Sequence, residues 1–307
     1  MNWDPHQLPD LRGRVYAITG ATGGIGYFAA EQLAVAGAEV VLASRSAAKL
    51  QQASRAIDQQ TPGAVTHHVP VDLTSLSSVA AAADRLADLP RLDGIFLNGG
   101  PMQLSRTART HDGLPLMLGA HTVANVALVA RLLPSLAEQA REGAGRIVHA
   151  STGFVQQLPV RVDDVDRTPR TGLGAYVKAK TATEVYAFEL DRRLRAAGLP
   201  LASIVTRPGV GVDAKTPRRP GIRDDTVPYR RNPFTPWAQG KDAAAWSGVR
   251  ALADPDARGG EYYAPADGAR GVPTRIDPDP ATADPAPEVT SRLWSRLAQL
   301  AGGEPVL

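Results

Sequence analysis

The sequence predicts a doubly wound α/β domain on a parallel sheet, and three observations predict it. Strand-like and helix-like segments alternate from about Arg14 to Ala264. The strand segments are short, apolar and partly β-branched, as strands buried on both faces are. The first of them runs straight into a glycine-rich turn that opens a helix. Repeated strand–helix–strand units make successive strands parallel and put helices on both faces of the sheet.

The elements follow in order. Arg14 to Ile18 reads as a strand and Gly24 to Ala36 as a helix, then Glu39 to Ala43 and Ala47 to Gln59 repeat the pair. Val65 to Val71 and Ser75 to Leu86 make a third pair, and Asp93 to Leu97 is a fourth strand. A long helix runs from about Pro115 to Pro134, with proline tolerated in its first turn. Arg146 to Ala150 is a strand, and Leu173 to Ala197 is a long helix that stops at Gly198. Leu201 to Val205 is a strand, Asp242 to Ala253 a helix, and Glu261 to Ala264 a short last strand. Pro208 to Pro236 breaks the pattern; with no period of its own it reads as a lid, extending to about residue 240. Pro265 to Pro287 reads as an extended tail, and Glu288 to Leu300 as a terminal helix with Val289, Leu293, Leu297 and Leu300 on one face. Residues 1–264 are thus the domain, and 265–307 a tail that packs on it.

Composition narrows the classes. The chain has 307 residues, 43% of them hydrophobic and 21% charged, enough for one large core. Its 34 basic and 31 acidic residues leave a net charge of +3, which gives no reason to expect nucleic acid as a partner. The absence of cysteine excludes disulfides, thiolate metal sites and a cysteine nucleophile. Met1-Asn2-Trp3-Asp4-Pro5-His6 lacks the basic start and apolar stretch of a secretory signal. No apolar run approaches the roughly 20 residues of a membrane span. The expected setting is the cytoplasm.

The turn Thr19-Gly20-Ala21-Thr22-Gly23-Gly24-Ile25-Gly26 follows the apolar run Val15-Tyr16-Ala17-Ile18. Glycines let the backbone approach a pyrophosphate, and the first amides of the helix point at it. Gly20, Thr22, Gly24, Ile25 and Gly26 are therefore candidate dinucleotide contacts. The end of the second strand selects the dinucleotide. A carboxylate there would bond the ribose 2′-hydroxyl and repel a 2′-phosphate. This chain has Ser44-Arg45 instead, and a guanidinium fork suits phosphate, so NADP(H) is the expected cofactor. Far along the chain, Tyr176 and Lys180 are four residues apart on a predicted helix, which puts phenol and ammonium on one face. An ammonium near a phenol favours the phenolate and lowers a pKa that is otherwise about 10.

With these motifs the chain resembles the short-chain dehydrogenase/reductase family, over about Leu11 to Ala264. The resemblance rests on the glycine turn, Asp72-Leu73 after the third strand and Asn98-Gly99-Gly100 after the fourth. Tyr176 to Lys180 and Pro208-Gly209 complete it. Shorter tokens resemble the retinol-dehydrogenase and protochlorophyllide-reductase branch: Asp112-Gly113, Leu132-Leu133-Pro134 and Glu261-Tyr262-Tyr263. The resemblance implies a Rossmann fold and hydride transfer between a nicotinamide and a ketone, aldehyde or alcohol. It also implies adenine contacts at Asp72 and Leu73, further cofactor contacts at Asn98, Gly99, Gly100, Pro208, Gly209 and Val210, and a bond from Lys180 to the nicotinamide ribose. Tyr176 would be the proton donor or acceptor.

The chain departs from the family pattern at several positions. A serine hydroxyl normally holds the substrate oxygen; ungapped, Thr152 falls on that position and Ser151 just before it, and both remain candidates. An asparagine in the long helix normally holds a water that bonds the lysine; here His121 falls there, with Asn125 one turn on. Asp213 replaces a threonine after Pro-Gly, and Leu97 replaces the first asparagine of the fourth-strand segment.

No metal is expected, because adjacent strand residues such as His67 and His68 point to opposite faces. The lid arginines Arg218, Arg219, Arg223, Arg230 and Arg231 mix with Asp213, Asp224 and Asp225, the pattern of a solvated segment. Tyr229, Phe234 and Trp237 could cover an apolar small-molecule substrate or anchor the lid. The resemblance implies a homo-oligomer through the two long helices, against a tail placed to cover that surface. A second reading is a cofactor-binding protein with weak turnover, a redox sensor or assembly partner.

Overall fold

The computed structural model describes residues 3–140, 145–226 and 232–306. Its elements are β1 (Val15–Thr19), α1 (Gly24–Val35), β2 (Glu39–Ser44), α2 (Ala47–Gln60), β3 (Thr66–Pro70), α3 (Leu76–Ala87) and β4 (Gly94–Leu97). The long helix follows as α4 (Leu116–Leu118), a π-helical turn Gly119–Val123, and α5 (Ala124–Gln139). Then come β5 (Gly145–Ala150), α6 (Phe154–Gln157), α7 (Gly172–Ala196), β6 (Leu201–Thr206), α8 (Lys241–Ala253) and β7 (Tyr262–Pro265). The chain closes with β8 (Pro273–Ile276), α9 (Pro280–Ala283) and α10 (Pro287–Ala301).

The strands form one sheet in the order β3-β2-β1-β4-β5-β6-β7-β8. Every neighbouring pair is parallel except β7 and β8. Both faces are covered, so alternate residues of one strand enter different cores. In β1, Val15 and Ala17 join the core under α3, α5, α7 and α10, while Tyr16 and Ile18 join the core under α1, α2 and α8. The strand order reverses between β1 and β4, which both pair through Ala17, and the crevice beyond that reversal is where such sheets bind ligands.

Two elements differ from the sequence reading. The long helix continues through Pro134 to Gln139. The lost hydrogen bond is outweighed because Leu132, Leu133 and Leu136 around it are fully buried. This helix, Leu116–Gln139, also has the length and hydropathy of a membrane span, contrary to the sequence expectation. It is 89% buried over its most apolar window, so core packing accounts for its composition. Finally, the stretch after β7 is not simply extended. It turns at Gly268 and Gly271, both with positive φ, and returns as the antiparallel edge strand β8. Its sequence, Pro-Thr-Arg-Ile, has exposed polar residues at its centre, so it carries no apolar signature. Beyond it, α10 buries Leu293, Trp294 and Leu297 against α5 and α7. Trp294 stacks on Tyr186 of α7 at 5.2 Å, with the Arg193 guanidinium 4.1 Å from its ring.

Candidate active site

The crevice at the strand reversal is built from two interlocked loops. Gly20 has φ 72°, and a Cβ there would lie 2.9 Å from the Gly99 Cα. A Cβ on Gly26 would lie 2.5 Å from the Gly20 carbonyl oxygen. Only glycine allows this approach. Asn98 Nδ2 donates to the Thr19 carbonyl at 3.2 Å, and the Gly99 amide donates to Thr19 Oγ1 at 2.8 Å. The glycine turn after β1 and the Asn98–Gly100 loop after β4 are thus fixed to each other.

Helix α1 has no side-chain cap at Gly23, which leaves its amino end open toward an anion. Next to it, Gly20, Ser44, Arg45, Asp72, Leu73 and Gly99 line one cleft, so residues separated by 80 positions meet there as the sequence predicts. Thr22 and Ser44 hydroxyls lie 3.0 Å apart. Arg45 is exposed at the cleft rim. Burial pushes the Asp72 carboxyl up, but hydrogen bonds from Thr74, with Arg45 and His111 nearby, hold it below its ordinary value. The open helix end, the glycine approach and the Arg45 rim fit a dinucleotide.

Across the crevice, α7 presents Tyr176 and Lys180 on one face. Thr152 follows β5 and lies close enough to Tyr176 for its side chain to act on the phenol. Ser151 does not share that place. It is buried, and its Oγ donates to Glu184 of α7 on the far side. Consecutive residues leaving a strand face opposite ways, so only one of the two can reach Tyr176. The structure therefore places Thr152 at the candidate site and corrects the Ser151 alternative.

Lys180 is fully buried and its Nζ donates to the Ala150 carbonyl at 2.6 Å. Burial pulls its pKa down to about 8, against the opposing pull of Glu184. The expected acidification of Tyr176 is not found. Burial pushes the phenol above its ordinary value, with Thr152 opposing. The Lys180 ammonium is turned to Ala150 rather than to the phenol.

His121 lies in the π turn, buried, with its ring edge-on to Tyr176 at 5.5 Å. Its Nε2 is 3.1 Å from the Pro101 carbonyl oxygen. A carbonyl only accepts, so Nε2 carries the hydrogen and Nδ1 is the bare nitrogen. Nδ1 is buried without a partner, as is Asn125 Oδ1 one turn on. Burial, aided by Lys180, drives the His121 pKa to about 3, so the ring is neutral. The Asn125 amide and Thr183 hydroxyl both donate to the His121 carbonyl.

The lid is placed differently from the sequence reading. Asp213, Thr216 and Gly221 to Arg223 roof the cleft above the glycine turn, at the phosphate end of the crevice. Arg219 grips Glu31 of α1 with two bonds of 2.6 and 2.9 Å, and Tyr27 donates to the same carboxylate at 2.8 Å. Asp213 forms a 2.6 Å ion pair with Lys241 at the start of α8. Arg218 pairs with Asp225. Phe234 and Trp237 are exposed. Tyr229, Arg230 and Arg231 lie outside the described residues. Gly209 has φ 68°, and a Cβ there would meet the Ala269 carbonyl oxygen at 2.2 Å. The Val210 amide donates to Ala269 and its carbonyl accepts from Gln239, so its amide hydrogen is already used. Pro208 likewise gives its carbonyl to Gln239 Nε2.

Sequence reasoning missed Glu184. An acid one helical turn after Lys180 was the available signal.

The model of the short chain dehydrogenase family matches residues 14–161. The mouse polyprenol dehydrogenase is 31% identical over 303 residues, covering 97% of this chain and 87% of that protein. A short-chain dehydrogenase/reductase of Colletotrichum higginsianum is 29% identical, covering 80% of this chain and 66% of its own. Among solved structures, a protein from Mycobacterium paratuberculosis superposes with a TM-score of 0.78 at 26% identity, over 100% of both chains. The L-sorbose reductase of Gluconobacter frateurii, solved with NADPH and L-sorbose, gives 0.54 at 23% identity over 66% of this chain and 72% of its own, a likeness of fold. The family match, the relative that runs the length of the chain and the interlocked crevice agree: the chain belongs to the short-chain dehydrogenase/reductase family of oxidoreductases.

Proposed function

We propose that this oxidoreductase uses NADP(H) to interconvert the carbonyl and alcohol forms of an apolar small molecule. The observation that carries it is the gathering, beyond the carboxyl end of β5, of Tyr176 with His121 edge-on at 5.5 Å and the buried Lys180 ammonium one helical turn on. When bound, a reduced nicotinamide supplies the hydride. Arg45 and Ser44 would hold the 2′-phosphate, and the open end of α1 the pyrophosphate. Thr152 would orient the substrate oxygen and Tyr176 deliver its proton. The bare Nδ1 of His121 is the acceptor end of a relay behind them. Lys180 would bond the ribose once it turns from Ala150.

Apolar substrate is supported by the exposed Leu104, whose backbone meets the start of α7, and by the exposed Phe154 and Leu158, two and six residues after Thr152. The relative described as a polyprenol dehydrogenase supports a lipophilic alcohol as one form of the substrate. The test is turnover of long-chain isoprenoid and aliphatic alcohols, aldehydes and ketones with NADPH and NADP. Tyr176→Phe should lower kcat about 10²- to 10⁴-fold while leaving NADPH affinity unchanged. Unchanged turnover in that variant would refute the assignment.

The upward displacement of the Tyr176 phenol favours one second reading, a cofactor-binding protein with weak turnover. NADPH would then raise the melting temperature while no substrate in the panel reacts.

A further inference from the structure

Glu184 is fully buried, and three hydroxyls from three parts of the chain converge on it. Ser151, leaving β5, donates to Oε1, as does Tyr262 of β7 at 2.8 Å. Thr282 of α9 sets its hydroxyl 2.9 Å from Oε2 and 3.0 Å from the Asp279 carbonyl, sharing one proton between them. A carboxylate has the acceptor sites to take all three. Burial pushes its pKa up and these bonds oppose that push. Ser151 in turn sits between the two residues that matter across the crevice. Ala150 gives its carbonyl to Lys180, and Thr152 stands beside Tyr176.

We propose that Glu184 is a positioning residue: it clamps Ser151 to β7 and the C-terminal segment, thereby fixes Ala150 and Thr152, and serves as counter-charge to the Lys180 ammonium. The inference rests on the reading of Tyr176 and Lys180 given above. It assigns the α9 segment a part in the site that its position after the last helix-covered strand does not suggest.

The surrounding charges support the counter-charge role. Lys180 faces Glu184 on its own helix, His121 on the π turn and His149 on β5. Both imidazoles are driven to pKa values of about 3 by burial, so neither adds charge at neutral pH. Glu184 faces Ser151, Tyr262, Thr282 and, from beyond β6, the Arg207 guanidinium. Glu184 is the one acid that acts on Lys180 among these groups. A buried ammonium left without its opposite charge sheds its proton more easily.

The test is Glu184→Gln in the full-length protein, with two readouts. The first is independent of turnover: the Lys180 Cε resonance of 13C-lysine-labelled protein is titrated and assigned with Lys180→Arg, the other lysines being Lys49, Lys178, Lys215 and Lys241. Its midpoint, about 8 in the unsubstituted chain, should fall by about one pH unit or more. The second is kinetic: kcat should fall roughly ten- to hundredfold at unchanged NADPH Kd, with the alkaline limb of the pH profile moving down in step. A merely structural residue would lower activity without moving either midpoint. Thr282→Val keeps the carboxylate but removes the C-terminal donor; it should lower kcat while leaving the Lys180 midpoint in place. An unmoved Lys180 midpoint in Glu184→Gln overturns the inference. If that variant does not fold, an unchanged kcat in Thr282→Val overturns it. Failure of the unsubstituted chain to turn over any substrate refutes the functional reading instead, and the resonance titration still decides the role of Glu184.

Discussion

Gly100→Ala puts the fit between the fourth-strand loop and His121 to a direct test. A Cβ on Gly100 would lie 2.2 Å from His121 Cε1, 2.4 Å from Nδ1 and 2.8 Å from Nε2. Ordinary contact needs more than 3.4 Å, so the ring must retreat by over 1 Å. It has nowhere free to go. Its Nε2 is bonded to the Pro101 carbonyl at 3.1 Å, and Tyr176 stands edge-on at 5.5 Å. Overpacking costs about 1–3 kcal/mol and the lost hydrogen bond about 0.5–1.5 kcal/mol. The expected destabilisation is therefore about 2–4 kcal/mol in urea unfolding. His121→Asn removes the ring and vacates that space. In the double variant Gly100→Ala should be nearly free, giving a coupling energy of about 2–4 kcal/mol of rescue. Effects that add within about 0.5 kcal/mol would show that ring and glycine do not compete, and would refute the packing reasoning.

Three further outcomes are expected. Acid should destabilise the fold through His121 and His149, whose folded pKa values are about 3 against an ordinary 6.5. Their contribution is complete above pH 6.5 and is lost as pH falls toward 3, because only the unfolded chain binds the protons. The slope is about 1.4 kcal/mol per pH unit per imidazole, and His121→Asn should shed one share of it in urea melts between pH 4 and 6. Arg45→Ala should weaken NADPH binding roughly ten- to hundredfold and leave NADH unchanged by fluorescence titration; equal losses for both would remove Arg45 from 2′-phosphate recognition. Leu297→Ala, at a fully buried site where α10 meets α5 and α7, should cost about 2–5 kcal/mol by thermal unfolding. A change within about 0.5 kcal/mol would mean that α10 contributes little to the core.

Most of the fold was readable because its signals are local. The period of apolar residues separates strands from helices, Ser46 and Ser75 cap the second and third helices, and Gly198 ends the seventh. β8 was not readable, because an edge strand carried by one backbone ladder needs no apolar face. The lid could be recognised as a break in pattern, but not where it lies. Its position is set by Arg219 reaching Glu31, a partner 188 residues away in the chain.

The sequence by itself determined the strand–helix order, the glycine turn and the shared helix face of Tyr176 and Lys180, since each follows from spacing within one short segment. Only the tertiary structure decided that Thr152 rather than Ser151 meets Tyr176, that Lys180 turns to Ala150, and that Glu184 gathers hydroxyls from β7 and α9. Those outcomes depend on which way a side chain leaves a strand end and what waits there. Spacing along the chain holds no record of a partner that arrives 98 residues later, as Thr282 does at Glu184.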